Sequence, residues 1–241
     1  MTASTSALHP WDVPAYTAAM AGRLVGLRPE RVRRWLVGYE YNYTAAGETV
    51  RRIRKAPVIH RDGDETPFAS FLDLIDLLFV RRFLDAGISL QKLRRALDEA
   101  DTLVGGHHFA QRSFFTDGRN VYLQVKKQSP TTAESLLELL SGGQWVIAPV
   151  IKDLATEIKF HDATGFAERW YPLGPETRVI VDPRISFGAP TVLNRGIKTA
   201  NVFDLYMAER ERVNAVCDWL QLQPEEVEDA VQFEQKLAAA A

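Results

Sequence analysis

Gly26, Pro29 and Gly38 punctuate the segment from Tyr16 to Tyr39 so closely that only short helices fit between them. The first runs from Tyr16 to Val25, with Ala18, Ala19, Ala21 and Leu24 as small or apolar contacts, and Gly26 breaks it. Pro29 suits the first turn of a second helix, where its missing N–H costs nothing. Val32, Trp35 and Leu36 then fall at i, i+3 and i+4 and make one apolar face, and Gly38 ends the helix. Two short helices around a glycine-containing turn predict a helix-turn-helix. The following Tyr- and Val-rich stretch is broken by Ala45-Ala46-Gly47. It predicts a two-stranded wing whose basic returning strand is Thr49 to Lys55.

With that apolar face turned inward, 100° per residue spreads Arg31, Arg33 and Arg34 over the outer half of the second helix. Arg28 stands just ahead of it. Such an arginine fan reaches phosphates and guanine edges in a major groove. Arg51, Arg52, Arg54 and Lys55 of the wing would follow the backbone beside it. Net charge supports the division. Residues 1–62 hold 10 Lys+Arg and 5 Asp+Glu, a balance of +5, and the other 179 hold 19 and 26, a balance of -7. A solvated face would explain one basic helix alone; the three features in this order favour DNA.

Phe68 to Ala86 is the strongest helix of the chain, with Phe71, Leu74, Ile75, Leu78 and Phe79 inside it and Gly87 at its end. Its apolar surface suits either a core or a dimer interface. Asp73, Asp76, Arg81 and Arg82 make it too charged and too short to span a membrane. Ser89 can cap a helix to about Thr102. Hairpins are expected around Asp117-Gly118 and Thr164-Gly165, and helices over Thr132–Leu140 and Val146–Leu154. Arg178 to Val181 reads as a strand stopped by Asp182-Pro183. Three helices then close the chain, at Thr199–Ala208, Arg210–Leu220 and Pro224–Leu237. Pro172-Leu173-Gly174-Pro175 is the best linker. The fold class is therefore α+β, mainly α. A DNA-binding head spans residues 1–62, a helical and hairpin middle 63–172, and a three-helix, helix-turn-helix-like module 173–241.

Chemistry-bearing constellations are sparse. His107 and His108 are adjacent, but no HExxH or cysteine pair accompanies them, so a polar loop accounts for them better than a metal. Asp98, Glu99 and Asp101 read as a helix face. No nucleophile elbow, P-loop or dinucleotide fingerprint is present, so no catalytic residue, metal or cofactor is assigned. A single cysteine, Cys217, and an N-terminus without a basic-then-apolar leader fit the cytoplasm. Finally, LRPERVRRWL at Leu27 is echoed by LQPEEVEDAV at Leu222, with Arg31, Arg33 and Arg34 replaced by Glu226, Glu228 and Asp229. The template starts and packs a helix in both places. The acidic outer face would either be solvated or meet protein.

YTAAMAGRLVGLRPERVRRWLVGY, Tyr16 to Tyr39, with Val32-Arg33-Arg34-Trp35, resembles the MerR-type winged helix-turn-helix. DPRISFGAP, from Asp182, followed by three helices ending PEEVEDAVQFE, is similar to a small antitoxin-associated domain. Asn194-Arg195-Gly196-Ile197 stands where that domain has a Gly-Thr-Arg-Ile-like turn. The whole resembles VapB-like antitoxins of type II toxin–antitoxin modules. The resemblance implies operator DNA and a PIN-like ribonuclease toxin as partners, with no catalysis by this chain. Toxin contacts would fall on Arg184, Glu226, Glu228 and Asp229. A homodimer is expected, because two small reading heads double a short site on a palindrome. The alternatives are a MerR-like regulator that senses a small ligand and has no toxin, and a metal-dependent hydrolase using His107 and His108.

Overall fold

A computed structural model describes residues 9–44, 51–61, 66–94, 97, 110 and 153–239. The first helix, α1, covers Ala18–Val25, with the Thr17 side chain accepting the Met20 N–H as its N-cap. Tyr16 lies outside it, because its backbone bridges to Ala69. Gly26 closes α1 in the left-handed region, at φ 71°. Helix α2, Pro29–Val37, buries Val32, Trp35 and Leu36 as its spacing predicts. Strands β1 (Tyr39–Tyr43) and β2 (Arg51–Lys55) pair antiparallel, Tyr39 opposite Lys55 and Tyr43 opposite Arg51.

Helix α3, Phe71–Asp85, is the centre of the molecule. Every residue from 71 to 80 is buried, so the face read as a core or a dimer interface is core. Its two buried acids are used internally. Asp73 and Ser70 form a reciprocal capping box at 2.8 and 3.1 Å, and Asp76 accepts the Ala110 N–H at 3.1 Å. Among the described residues, no helix is long and apolar enough to cross a membrane. Ser89 accepts the Lys92 N–H, and 90–94 are helical as expected. The expected hairpin at Asp117-Gly118, the Thr132–Leu140 helix, Asp98, Glu99, Asp101, His107 and His108 all lie outside the described residues. Of the expected Val146–Leu154 helix, only its end is described, within a helical stretch at 153–157.

Strands β3 (Ile158–Phe160) and β4 (Ala167–Trp170) form the hairpin around Thr164-Gly165. Strand β5, Val179–Ile180, pairs antiparallel with β6, Thr191–Val192, just after Pro190. Helices α4 (Thr199–Ala208), α5 (Val213–Leu220) and α6 (Pro224–Ala239) follow. The expected second helix began at Arg210. It starts at Val213 because Arg210 and Glu211 both adopt positive φ in the turn after α4.

Two cores result. One gathers α1, α2, α3, β3 and β4; the other holds Val192, Val202, Val216, Leu222, Val227, Ala230 and Val231 of the three-helix module. They are tied across the Pro172–Pro175 segment. Trp170 bridges Val181, and Phe233 and Leu237 of α6 pack with Val179 and with Leu24 of α1. The Arg23 guanidinium also donates to Glu234 at 2.9 Å.

Candidate nucleic-acid interface

Ten lysines and arginines stand in residues 1–62. Two are taken up by the fold. Arg23 pairs with Glu234. The almost buried Arg61 donates to the carbonyls of Leu36, Thr66 and Phe68 and lies 3.7 Å from Asp73. The other eight are Arg28, Arg31, Arg33, Arg34, Arg51, Arg52, Arg54 and Lys55, and all are exposed. They are the residues that the sequence reading assigned to DNA.

Local packing orients several of them. Arg31 lies 5.9 Å from the ring centroid of Trp35 on its own helix, and Arg34 lies 5.0 Å over Tyr39, which splints that arginine against the start of the sheet. Arg52 is ion-paired with Glu40. Arg28, Arg33, Arg54 and Lys55 have no ion-pair partner among the described residues. The register also places Tyr39, Tyr41 and Tyr43 on one face of the sheet, all exposed, with the Tyr39 and Tyr41 rings stacked at 6.0 Å. A surface of guanidinium groups with interleaved aromatic rings can take phosphates and flat bases.

The acidic face of α6 is only partly a face. Glu228 is exposed, as predicted. Glu226 is buried: it accepts two N–H groups of Arg195 at 3.0 and 3.3 Å and the Gln223 backbone N–H at 2.7 Å. Burial pushes its carboxyl up, but these donors outweigh that and hold it below the usual range. Asp229 accepts the Arg178 backbone N–H at 2.8 Å. The expectation that all three project outward is therefore corrected. Two of them dock the turn at Asn194–Ile197 and the start of β5 onto α6. Helical periodicity missed this because it cannot see which neighbour covers a helix.

Arg184, the other residue assigned to the toxin, sits in an ion network. Asp182, fully buried, accepts from Arg184 Nε at 2.9 Å, from Arg184 Nη2 at 2.7 Å and from Arg169 at 3.1 Å. It also accepts the Arg184 backbone N–H at 3.0 Å, an Asx-type turn. Burial pushes this carboxyl up; the arginine donors win and hold it below its usual range. Glu168 adds contacts to Arg184 and Lys159 at 3.2 and 3.0 Å.

Beyond Asp182 the backbone turns left-handed for three residues, Ser186, Phe187 and Gly188 at φ 48°, 56° and 75°. Phe187 is thrown outward, 88% exposed, while the Tyr16 hydroxyl donates to the Gly188 carbonyl at 3.0 Å. Burial, with Asp182 nearby, pushes the Tyr16 phenol well above its usual value, so it stays a donor. Neither Tyr16 nor Phe187 was singled out from the sequence. The legible signal was Asp-Pro followed by Arg, which starts the turn; the 172-residue separation of Tyr16 and Gly188 left no local trace.

No family model matches the chain. It is 25% identical over 230 residues to a protein of Mycobacterium tuberculosis strain H37Rv named "Putative antitoxin VapB45", a match spanning 92% of this chain and 94% of that protein. It is 36% identical over 89 residues to an uncharacterized HTH-type transcriptional regulator, Rv1830, of the same strain, across 37% of this chain and 36% of the regulator. The crystal structure of Rv2018 from M. tuberculosis superposes with a TM-score of 0.66 at 23% identity, over 92% of this chain and 98% of that one. That likeness shows a shared fold.

Proposed function

We propose that this chain is an antitoxin that represses its own operon, binding operator DNA through its head and a PIN-like ribonuclease toxin through residues beyond about Pro172. The observation that carries the reading is the set of eight exposed cations on α2, its N-cap Arg28 and the β1–β2 sheet, with neighbouring head cations Arg23 and Arg61 turned to internal acids. The near full-length likeness to a protein named as an antitoxin favours a toxin partner. On this reading α2 enters the major groove, the sheet acts as the wing of a MerR-like head, and a homodimer reads a palindrome. On the toxin side, Phe187 is the anchor. Its exposed ring, held out by a left-handed backbone, has the character of a binding hot spot. The exposed Glu228 and the half-exposed Arg184 are polar rim.

The test has two arms. Anisotropy titrations on DNA from upstream of the chain's own reading frame should weaken steeply as salt rises. Replacing Arg33 with Ala should cost about 1–3 kcal/mol and relax specificity at one base, whereas Arg54→Ala should weaken all sequences alike and flatten the salt slope. Affinity that ignores salt sinks the DNA assignment. In the second arm, the neighbouring reading frame is co-expressed, and its product should be retained by the wild type and lost on Phe187→Ala. Retention by residues 1–62 alone would overturn the assignment of the toxin to the C-terminal part. A second reading, a ligand-sensing regulator without a toxin, is favoured by the 36% identical stretch shared with an HTH-type regulator.

A further inference from the structure

Beneath the α1–α2 turn lies a half-open cavity of about 210 Å³. Leu24, Leu78, Trp170, Phe233 and Leu237 supply its apolar walls. Four cations, Arg23, Arg81, Arg82 and Lys236, and one acid, Asp85, also line it. Three of the cations are matched: Arg23 with Glu234 at 2.9 Å, Arg81 with Asp85 at 2.7 Å, and Arg82 with Glu157 at 3.5 Å. Lys236 has no ion-pair partner among the described residues. Lys236 is thus the lining cation without a direct ion pair, attracted by the Glu157 carboxylate from further off, and it stands beside an indole, a phenyl ring and leucine side chains. Lys236 also stands in the last turn of α6, where a cation answers the helix dipole with or without a ligand.

We propose that this cavity binds a small organic monoanion, a carboxylate on an aromatic or short aliphatic body. Lys236 takes the carboxylate and the apolar walls take the body. The volume lies below the roughly 300–1,000 Å³ of sites for drug-sized ligands, so the occupant is a single-ring or short-chain acid. A dianion is disfavoured, because the other three cations are already neutralised. The position gives the site a consequence. Arg81, on the cavity wall, donates to the carbonyl of Gly26, the residue that turns the chain from α1 into α2. An occupant therefore sits against the support of the turn that leads into α2. The site requires no toxin and stands apart from the antitoxin reading.

The test uses the full chain, with sodium benzoate as the probe and benzamide as its uncharged isostere, followed by ¹H–¹⁵N correlation spectra. Benzoate should give saturable shifts at the amides of Gly26 and Lys236 and at the Trp170 indole N–H. It should bind about tenfold tighter than benzamide, the effect of one charge contact of about 1.4 kcal/mol. Lys236→Gln should erase that preference and leave benzamide binding as it was. The proposal is overturned by shifts that do not saturate, by shifts clustered elsewhere, or by a Lys236→Gln variant that still prefers benzoate. If Lys236 serves the helix dipole alone, its replacement lowers thermal stability and benzoate shows no preference over benzamide in either protein.

Discussion

Gly188 carries two constraints at once. Its φ of 75° disfavours any side chain, and a Cβ there would come within 2.0 Å of the Tyr16 hydroxyl. Strain and overpacking together give an expected loss of about 2–4 kcal/mol for Gly188→Ala, read as a lower urea midpoint at unchanged slope. Tyr16→Phe tests the hydrogen bond alone and should cost about 1–3 kcal/mol, because the Gly188 carbonyl is left buried without its donor. A midpoint within error of wild type for either variant would mean that the tether is not held in solution. Asp182 gives a pH signature. Its folded pKa lies below the ordinary carboxylate value. The stability it contributes is therefore fully present above the unfolded value of about 3.9 and lost as pH falls through the folded one. Asp182→Asn should be less stable than wild type at neutral pH, and chemical denaturation should show the gap closing in acid below about pH 4. A gap that persists undiminished in acid would place the effect in packing rather than charge.

At the scale of elements, the two matched helix starts turn out to differ in more than charge. In α2 the template leaves Arg31, Arg33 and Arg34 exposed, because only the Val32, Trp35 and Leu36 face is covered. In α6 the same positions meet the Asn194–Ile197 turn and the start of β5, so Glu226 and Asp229 are held and Glu228 alone is free of the neighbouring chain. Replacing all three acids with Arg is therefore not a surface change. Glu228→Arg should move the thermal midpoint by no more than about 0.5 kcal/mol of stability. Glu226→Arg should cost about 2–4 kcal/mol, since it removes the acceptor of Arg195 and of the Gln223 N–H and sets two arginines together. Equal melting of the two variants would show that the Arg195 contact contributes nothing.

For the whole molecule, the ties across Pro172–Pro175 decide what can be cut away. Residues 173–241 keep the three-helix core but lose Arg169 and Glu168, which hold Asp182 and Arg184, and the Trp170 bridge to Val181. A fragment of residues 153–241 retains the β3–β4 hairpin and those partners. Both fragments should show helical circular dichroism. Only the longer one should keep the slow hydrogen exchange of the Val181 N–H, which donates to Trp170. If the proposed toxin docks on Phe187, the longer fragment should also bind it more tightly, because the turn that carries Phe187 is then held. Equal protection and equal affinity in the two fragments would make the ion network dispensable.

The sequence by itself determined the parts whose causes are local. Pro29 and Gly38 bounded α2, Gly87 marked the end of the α3 region, and helical spacing turned Arg31, Arg33 and Arg34 outward. Thr199–Ala208 begins and ends where periodicity puts it. The pairing of β6 with β5, the fate of Glu226 and Asp229, the Tyr16–Gly188 contact and the Lys236 cavity were decided only in three dimensions. Each depends on which residue from far along the chain covers a given surface. A side chain's period fixes the direction it points from its own helix, but whether water, an arginine or a backbone N–H waits there is set by packing between elements.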